Sequence, residues 1–467
     1  MEVTGMSNSG AYATISEPPR STPIVADADV VVCGSGPGGF PAAIAAARHG
    51  AKTVLIERYG CLGGMATTGL VAPILSQHAH ESDLPIVDGI LHELTDRLHA
   101  IGGAPTWEEA LKEWGIRFDS EAMKVVLDEM VQEAGVQVML HTWVADVMKD
   151  GQHIKAVIVE NKAGRQAVTG RIFIDATGDA DIAFRAGAPT TFGRPFDNQP
   201  ESMGSFFQLG NVPHLAEQRR QELHDLICQQ MNAGRFAFYN PNVLTYRCAY
   251  HGDHTSANMT RFGGDPTSAV DLTTGEMTMR KNIWALVRYL RANVPGFEDV
   301  YVQQTSHQIG PRESRQIVGP YALTGDDIHA GRKFKDAIAR ASWWIDIHCP
   351  LGNTYPVHLC VKECPKAADC PFWASEHEHM RSREDLYPPV GDWYEIPYRC
   401  LLSVGVPNLL AAGRCISATH EGMAGARVMG SCVAIGQAAG TAAALAVSAH
   451  VDPAGISVER LQATLRA

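Results

Sequence analysis

A chain of 467 residues, 45% of them hydrophobic and 19% charged, has the composition of an ordinary globular protein large enough for two or three domains. Its formal net charge of −12 leaves no basic stripe to neutralise phosphates, which excludes nucleic acid as a partner. No run reaches the ~18 uninterrupted apolar residues of a spanning helix and none reads as an apolar leader, so a cytoplasmic protein without a membrane span is expected.

In chain order, the Ser-, Thr- and Pro-bearing residues 1–25 read as a flexible arm. Asp29 to Cys33 is a β-branched run suited to a buried parallel strand. A Gly-rich turn follows at once, then an Ala-rich helix from Pro41 to His49 closed by Gly50, then a strand from Thr53 to Ile56 closed by Glu57. That is a complete βαβ unit in about thirty residues. Further on, Val136–Leu140 and Val144–Val147 read as strands, Ala156–Glu160 as half of a hairpin, and Arg171–Asp175 as a return strand ending in Ala176-Thr177-Gly178-Asp179. Leu409–Arg414 reads as a last strand and turn, before a buried helix from about Ser431 whose apolar part runs from Val433 to Val447. The fold class expected is α/β: a discontinuous Rossmann-type domain (26–84, 121–190 and 396–467) with an inserted α+β domain (85–120 and 191–395), where most of the Trp, His and Cys residues lie.

Gly34-x-Gly36-x-x-Gly39 gains its meaning from this setting. The first glycine permits the tight turn, the second admits a pyrophosphate to the backbone, and the third lets helix and strand pack closely. The helix N-terminus adds free N–H groups and a favourable dipole. Glu57, 18 residues after Gly39, stands where a carboxylate accepts from both ribose hydroxyls. The loop after it, Arg58 through Gly64, Met65 and Gly69, is too Gly-rich for the ordinary next helix of an NAD-binding unit, which points to a flavin dinucleotide instead.

Glu57 with LGGMATTG, the ATGD at 176–179, IGPRESRQIVGPYALTGDDI, DAIARASWWIDIH and the terminal AAGRCISATHEGMAGARVMGSCVAIGQAAG together resemble the FAD-dependent oxidoreductases related to the fumarate reductase and succinate dehydrogenase flavoproteins. The resemblance implies FAD as cofactor. It sets Ala176, Thr177 and Gly178 against the ADP part, Val144 against adenine through its backbone, and Gly413 against the pyrophosphate or ribityl chain. Gly430 and Ser431 would open a helix aimed at the flavin, where a helix N-terminus stabilises negative charge on the reduced ring. Two departures stand out. Met65-Ala66-Thr67-Thr68 occupies the place where disulfide reductases carry a redox cysteine pair, and Met423 replaces the histidine that fumarate reductases hold four residues before the arginine matched by Arg427.

A flavin dehydrogenase needs a proton acceptor and a group that orients substrate. The candidates are His307, Arg312, Glu313, Arg315, His348, Tyr398, Arg399, His420, Glu421 and Arg427. His420 is preferred for proton transfer. Tyr398 and Arg399 are chosen because they lie where the chain re-enters the cofactor domain, and Arg315 and His307 are the reserves; Arg312 with Arg315 would clamp a carboxylate or the flavin, or brace two domains.

Eleven cysteines in a reducing compartment point to metal or redox chemistry before disulfides. Cys349, Cys360, Cys364 and Cys370, with His348, His358, His377 and His379 nearby, are spaced C-x10-C-x3-C-x5-C. That matches neither ferredoxin nor zinc-ribbon spacing. An iron–sulfur cluster, a zinc site and unligated or disulfide-paired thiols all stay open. The leading expectation is a FAD-dependent dehydrogenase or oxidase moving a hydride from a small organic substrate to flavin N5. The alternative is an electron-transfer flavoprotein subunit using a cysteine-bound cluster. A monooxygenase is set aside because no second Gly motif for NADPH is found. A homodimer stays open as an association.

Overall fold

The computed structural model describes residues 14–238, 254–351, 360–364, 370 and 380–467. In chain order the strands are β1 (Ile24–Cys33), β2 (Thr53–Ile56), β3 (Gln137–Met139), β4 (Trp143–Asp150), β5 (His153–Asn161), β6 (Gly164–Asp175), β7 (Thr190–Phe192), β8 (Phe207–Gly210), β9 (His254–Ala257), β10 (Tyr301–Thr305), β11 (Arg315–Ile317), β12 (Ala337–Ala341), β13 (Tyr394–Pro397) and β14 (Leu409–Ala411). The main sheet runs β3-β2-β1-β6, all parallel. Beyond β6, the antiparallel β5 pairs with its first half and β4 pairs antiparallel with β5, while the parallel β14 pairs with the last residues of β6. Every strand expected from the sequence is present, most of them longer than their apolar runs. β1 already begins at Ile24, inside the segment read as an arm.

The first helix, α1 (Gly39–Arg48), packs on helix Met429–Ala449. The two backbones meet closely because Gly436 and Gly440 lack side chains. A Cβ at Gly436 would stand 2.7 Å from Pro41 Cγ, and one at Gly440 2.8 Å from the Ala42 carbonyl carbon, each closer still to a carbonyl oxygen. Helix Met429–Ala449 is, among the described residues, the one long and apolar enough to cross a membrane. Here it is a core helix, with Cys432, Val433, Ile435, Ala438, Ala439 and Ala442 buried.

A second hydrophobic core, from Phe207 to Val300, gathers β8, β9 and β10 with helices Glu217–Asn232 and Ala269–Asn293. It is smaller than the inserted domain expected. Residues 85–120 do not join it. Ile90, Leu91, Leu94 and Leu98 form one apolar stripe of helix Ile90–Ala100 and pack in the main core, and the Ile90 N–H donates to Gln437 Oε1 at 3.0 Å. Ile317, Ile338, Ile345 and Tyr394, also expected in the insertion, belong to the main core too. Composition marked the boundary by Trp, His and Cys content, but these stripes are covered by the main sheet's helices.

Candidate functional site

The β1–α1 turn opens a groove along the C-terminal ends of the parallel strands, where open α/β sheets bind their ligands. It is lined by Gly34, Gly36, Gly38, Gly64, Gly178 and Gly413. The glycines fall into two kinds. At Gly39 a Cβ would stand 2.7 Å from the Gly34 carbonyl carbon and overlap its oxygen, so this glycine serves helix–strand packing. At Gly36 a Cβ would meet nothing within 4 Å, so this one leaves room for a ligand. α1 has no side-chain cap and no acidic residue in its first turn, which leaves its N-terminal N–H groups for an anion.

Glu57, 5% exposed, is fixed at the end of β2. Its Oε2 accepts from the Ser35 N–H at 2.8 Å and the Ser35 hydroxyl at 2.7 Å, and its Oε1 from the Tyr59 N–H at 3.0 Å. Thr142, Trp143 and Val144 complete that end of the groove. Above them Arg58 stacks on the Tyr59 and Trp143 rings, and Arg58 and the Tyr59 hydroxyl both donate to Gln308 Oε1. Asp175 accepts from the N–H and hydroxyl of Thr177 and from the N–H groups of Ile182 and Ala183. This fixes the turn through Ala176, Thr177 and Gly178, all three on the groove wall. Asp179 next to them pairs with Arg414 at 2.6 Å. An ADP-shaped ligand with an anionic centre is what these residues fit.

A family model described as FAD dependent oxidoreductase matches residues 29–465. The chain belongs to the FAD-dependent oxidoreductase family. FAD is therefore the cofactor, and the protein is an enzyme. Shorter similarities join it to dihydrolipoyl dehydrogenases: 56% identity over 45 residues to that of Trypanosoma brucei brucei, covering 10% of this chain and 9% of the relative, and 66% over 38 residues to the human mitochondrial protein, covering 8% of each. The chain thus aligns with less than a tenth of those enzymes' length. Among solved structures, a geranylgeranyl bacteriochlorophyll reductase-like protein of Thermoplasma acidophilum aligns over 94% of this chain and 83% of its own, at 13% identity and a TM-score of 0.42. The OxyS anhydrotetracycline hydroxylase of Streptomyces rimosus aligns over 94% and 65%, at 13% identity and 0.41. Likeness at that level carries no argument about substrate. The narrower kinship to fumarate reductases rests on the sequence motifs alone.

A second cavity, of about 560 Å³, adjoins the groove. Met65, Pro311, Arg414, Arg427 and Met429 line both. Its other walls carry Trp114, Phe206, Trp343, Trp344 and Tyr387, with Arg261, Arg312, Asp346 and His348 among the polar groups. Arg427 is held between Asp346, whose carbonyl accepts from Nη2 at 2.8 Å, and the buried Glu201, 3.4 Å from Nε. Burial opposes its charge, but Glu201 and Asp346 outweigh burial and raise its pKa. Burial would likewise raise Asp346, yet His348, Arg427 and Arg312 hold it well below the usual carboxylate range. His348, 3.4 Å from Asp346, has its pKa pushed well below the imidazole value by burial and by the Arg312 and Arg261 charges, against the pull of Asp346.

Of the catalytic candidates, Arg427, Arg312 and His348 reach this cavity. His420 lies behind it: its Nδ1 bonds both oxygens of buried Glu313, at 2.8 and 2.9 Å, and Glu313 Oε2 also accepts from the Glu201 N–H. Tyr398 and Arg399 line neither cavity. β13 pairs with β12 and turns the Tyr398 hydroxyl to the Pro453 carbonyl at 2.8 Å, and Arg399 pairs with Asp336 on the surface. Arg315 is spent on Asp181 and the Asp179 carbonyl, stacked on Phe184. His307 is exposed and lines neither cavity. Met65, Gly64, Arg58, Glu57, Val144 and Gly413 line the groove as expected, whereas Gly430 and Ser431 do not. The Gly430 N–H is taken by the Leu75 carbonyl and the Ser431 hydroxyl by Ser76, so Met429 and Cys432 face the groove in their place.

Among the described residues no three His, Cys, Asp or Glu side chains form a metal-ligating group, and much of the segment between Cys349 and His379 lies outside them. Burial pushes the Cys349 thiol up to about 12 and raises Cys360. Cys360 Sγ instead accepts from Arg194 at 3.2 Å. His358, His377 and His379 lie outside the described residues. The alternative of an electron relay through a cluster therefore has no site among the described residues. Sequence reasoning passed over Asp179, Arg414, Trp343, Trp344 and Asp346, although each stands inside a motif that carried the family resemblance.

Proposed function

We propose that the enzyme removes a hydride and a proton from a small organic substrate seated in the second cavity. The observation that carries this reading is the shared wall of Met65, Pro311, Arg414, Arg427 and Met429, which brings that cavity against the cofactor groove. Bound FAD supplies the two-electron acceptor, taking the hydride at N5. The chain's own residues do the rest. Arg427, immobilised by Glu201 and Asp346, orients the substrate with a fixed fork. The Trp114, Phe206, Trp343 and Trp344 rings exclude water. The proton passes by way of the Asp346–His348 pair to solvent, since both groups stand on the cavity wall and neither retains a proton readily.

The test is an anaerobic substrate screen that follows bleaching of the flavin band. With a bleaching substrate in hand, Arg427→Lys keeps the charge beside Glu201 but loses the fork, and reduction should slow by roughly 10²-fold. Arg399→Ala should leave it unchanged. Full-rate reduction by Arg427→Lys, with Arg399→Ala slowed, would place the chemistry elsewhere.

A further inference from the structure

Arg261, Arg312 and Arg427 are among the five arginines that line the second cavity, and the carboxylates near them are already engaged. Glu201 and Asp346 hold Arg427, while Glu313 holds His420. Arg261 gives Nη1 to Asn258 Oδ1 at 2.7 Å and to the Thr260 carbonyl at 2.6 Å. Arg312 donates to the Ser202 carbonyl at 2.8 Å and has no carboxylate within ion-pair distance among the described residues. Burial and the like charges of Arg261 and Arg427 push its pKa well below the arginine value. A cation in such a place destabilises the ligand-free fold. It is retained at no gain to folding unless something anionic completes it.

Gly204 keeps the guanidinium reachable, because a Cβ there would stand 3.0 Å from Arg312 Nη1. The same cavity is also lined by Trp114, Phe206, Trp343, Trp344 and Tyr387. Its volume of about 560 Å³ falls within the ~300–1,000 Å³ of sites for drug-sized ligands and is roomy for an acid of a few carbons.

We infer that the substrate is an aromatic or polycyclic carboxylate, whose anionic group docks on Arg312 beside Arg261 while its rings lie against Trp343, Trp344 and Trp114. The inference rests on the reading of this cavity as the substrate site. The carboxylate is a handle only: the hydride and proton leave from another part of the molecule, and the acid is unchanged by the reaction.

The FAD-loaded enzyme is titrated with 2-naphthoate and with neutral 2-naphthamide, following tryptophan fluorescence and the flavin absorbance band in parallel. The acid is expected to bind at least about tenfold more tightly than the amide, as a charge-assisted hydrogen bond implies. Arg312→Met should abolish that preference without changing amide binding. It should leave the ligand-free melting temperature unchanged or raised, because it removes like-charge repulsion; an arginine kept for structure would lower it. Arg312→Lys, read alongside, should keep part of the preference. Equal affinity for acid and amide overturns the inference, as does a preference that survives in Arg312→Met or a variant too unstable to purify. An acid-selective fluorescence response with an unmoved flavin band would leave the anion site standing and instead refute the contact between cavity and cofactor.

Discussion

Gly36 and Gly39 lie three residues apart in one motif, yet the structure assigns them opposite liabilities, and a pair of substitutions separates them. A side chain at Gly36 enters open space in the groove, so Gly36→Val should leave the apo-protein's melting temperature unchanged while its methyl groups occupy the place of the cofactor's pyrophosphate. Losing the approach of an anion to the helix N-terminus, together with the steric conflict, should weaken FAD by at least about 3 kcal/mol, or two orders of magnitude. Gly39→Ala is the reverse case. Its Cβ, 2.7 Å from the Gly34 carbonyl carbon, must be accommodated by moving α1 off β1, and overpacking of that sort costs about 1–3 kcal/mol or more. The assay is apo- and holo-protein melting with FAD content read from absorbance. Because FAD stabilises the fold in proportion to its occupancy, wild type should gain stability on FAD addition and Gly36→Val should not. Stoichiometric FAD in Gly36→Val, or an unchanged apo melting temperature in Gly39→Ala, would refute the division of roles.

Gln308 accepts from both Arg58 and Tyr59 across the nucleotide end of the groove, so Gln308→Ala should speed FAD release by roughly tenfold, measured by fluorescence recovery of released flavin. Burial would lower the His420 pKa, but Glu313 and Glu201 raise it above the ordinary imidazole value. Its contribution to stability is therefore complete below about 6.5 and lost as pH rises through the folded-state value. His420→Asn should flatten the melting temperature over that range, and an unaltered slope would show that another group sets it. Elemental analysis of anaerobically prepared, FAD-loaded protein should find substoichiometric iron and zinc, since the described residues bring no three metal-ligating side chains together; a full equivalent of either metal would overturn that.

The cofactor half of the molecule was legible because its signals are local. Strand, turn, helix and acidic residue follow one another within residues 29–57, and each side chain's task is set by neighbours close in sequence. The substrate half was not. Trp114, Arg261, Arg312, Trp343 and Arg427 come together from separate segments, and no spacing announces them. Tyr398 and Arg399 were chosen for where the chain re-enters the cofactor domain, but the β12–β13 register aims the tyrosine at Pro453. His420, read as a loop residue before Arg427, opens helix His420–Ala426 and there braces Glu313 instead of facing a cavity. Helix Ile90–Ala100 was misassigned for a related reason: its stripe reveals that a face is buried, not against what.

The glycine seam between α1 and helix Met429–Ala449 bears on how such an enzyme diversifies. Both helices begin at the groove, so a bound dinucleotide would be met at two points, and the close junction of the helices sets the separation of those points independently of the hundreds of residues between them. The intervening chain is thereby released from the task of gauging the cofactor's length. It can acquire a new substrate-binding wall, lose a loop or lengthen a helix without shifting one end of the cofactor relative to the other. Substitutions at Gly436 or Gly440 should be intolerable in every relative that keeps the two helices in this contact, however far its substrate pocket has drifted.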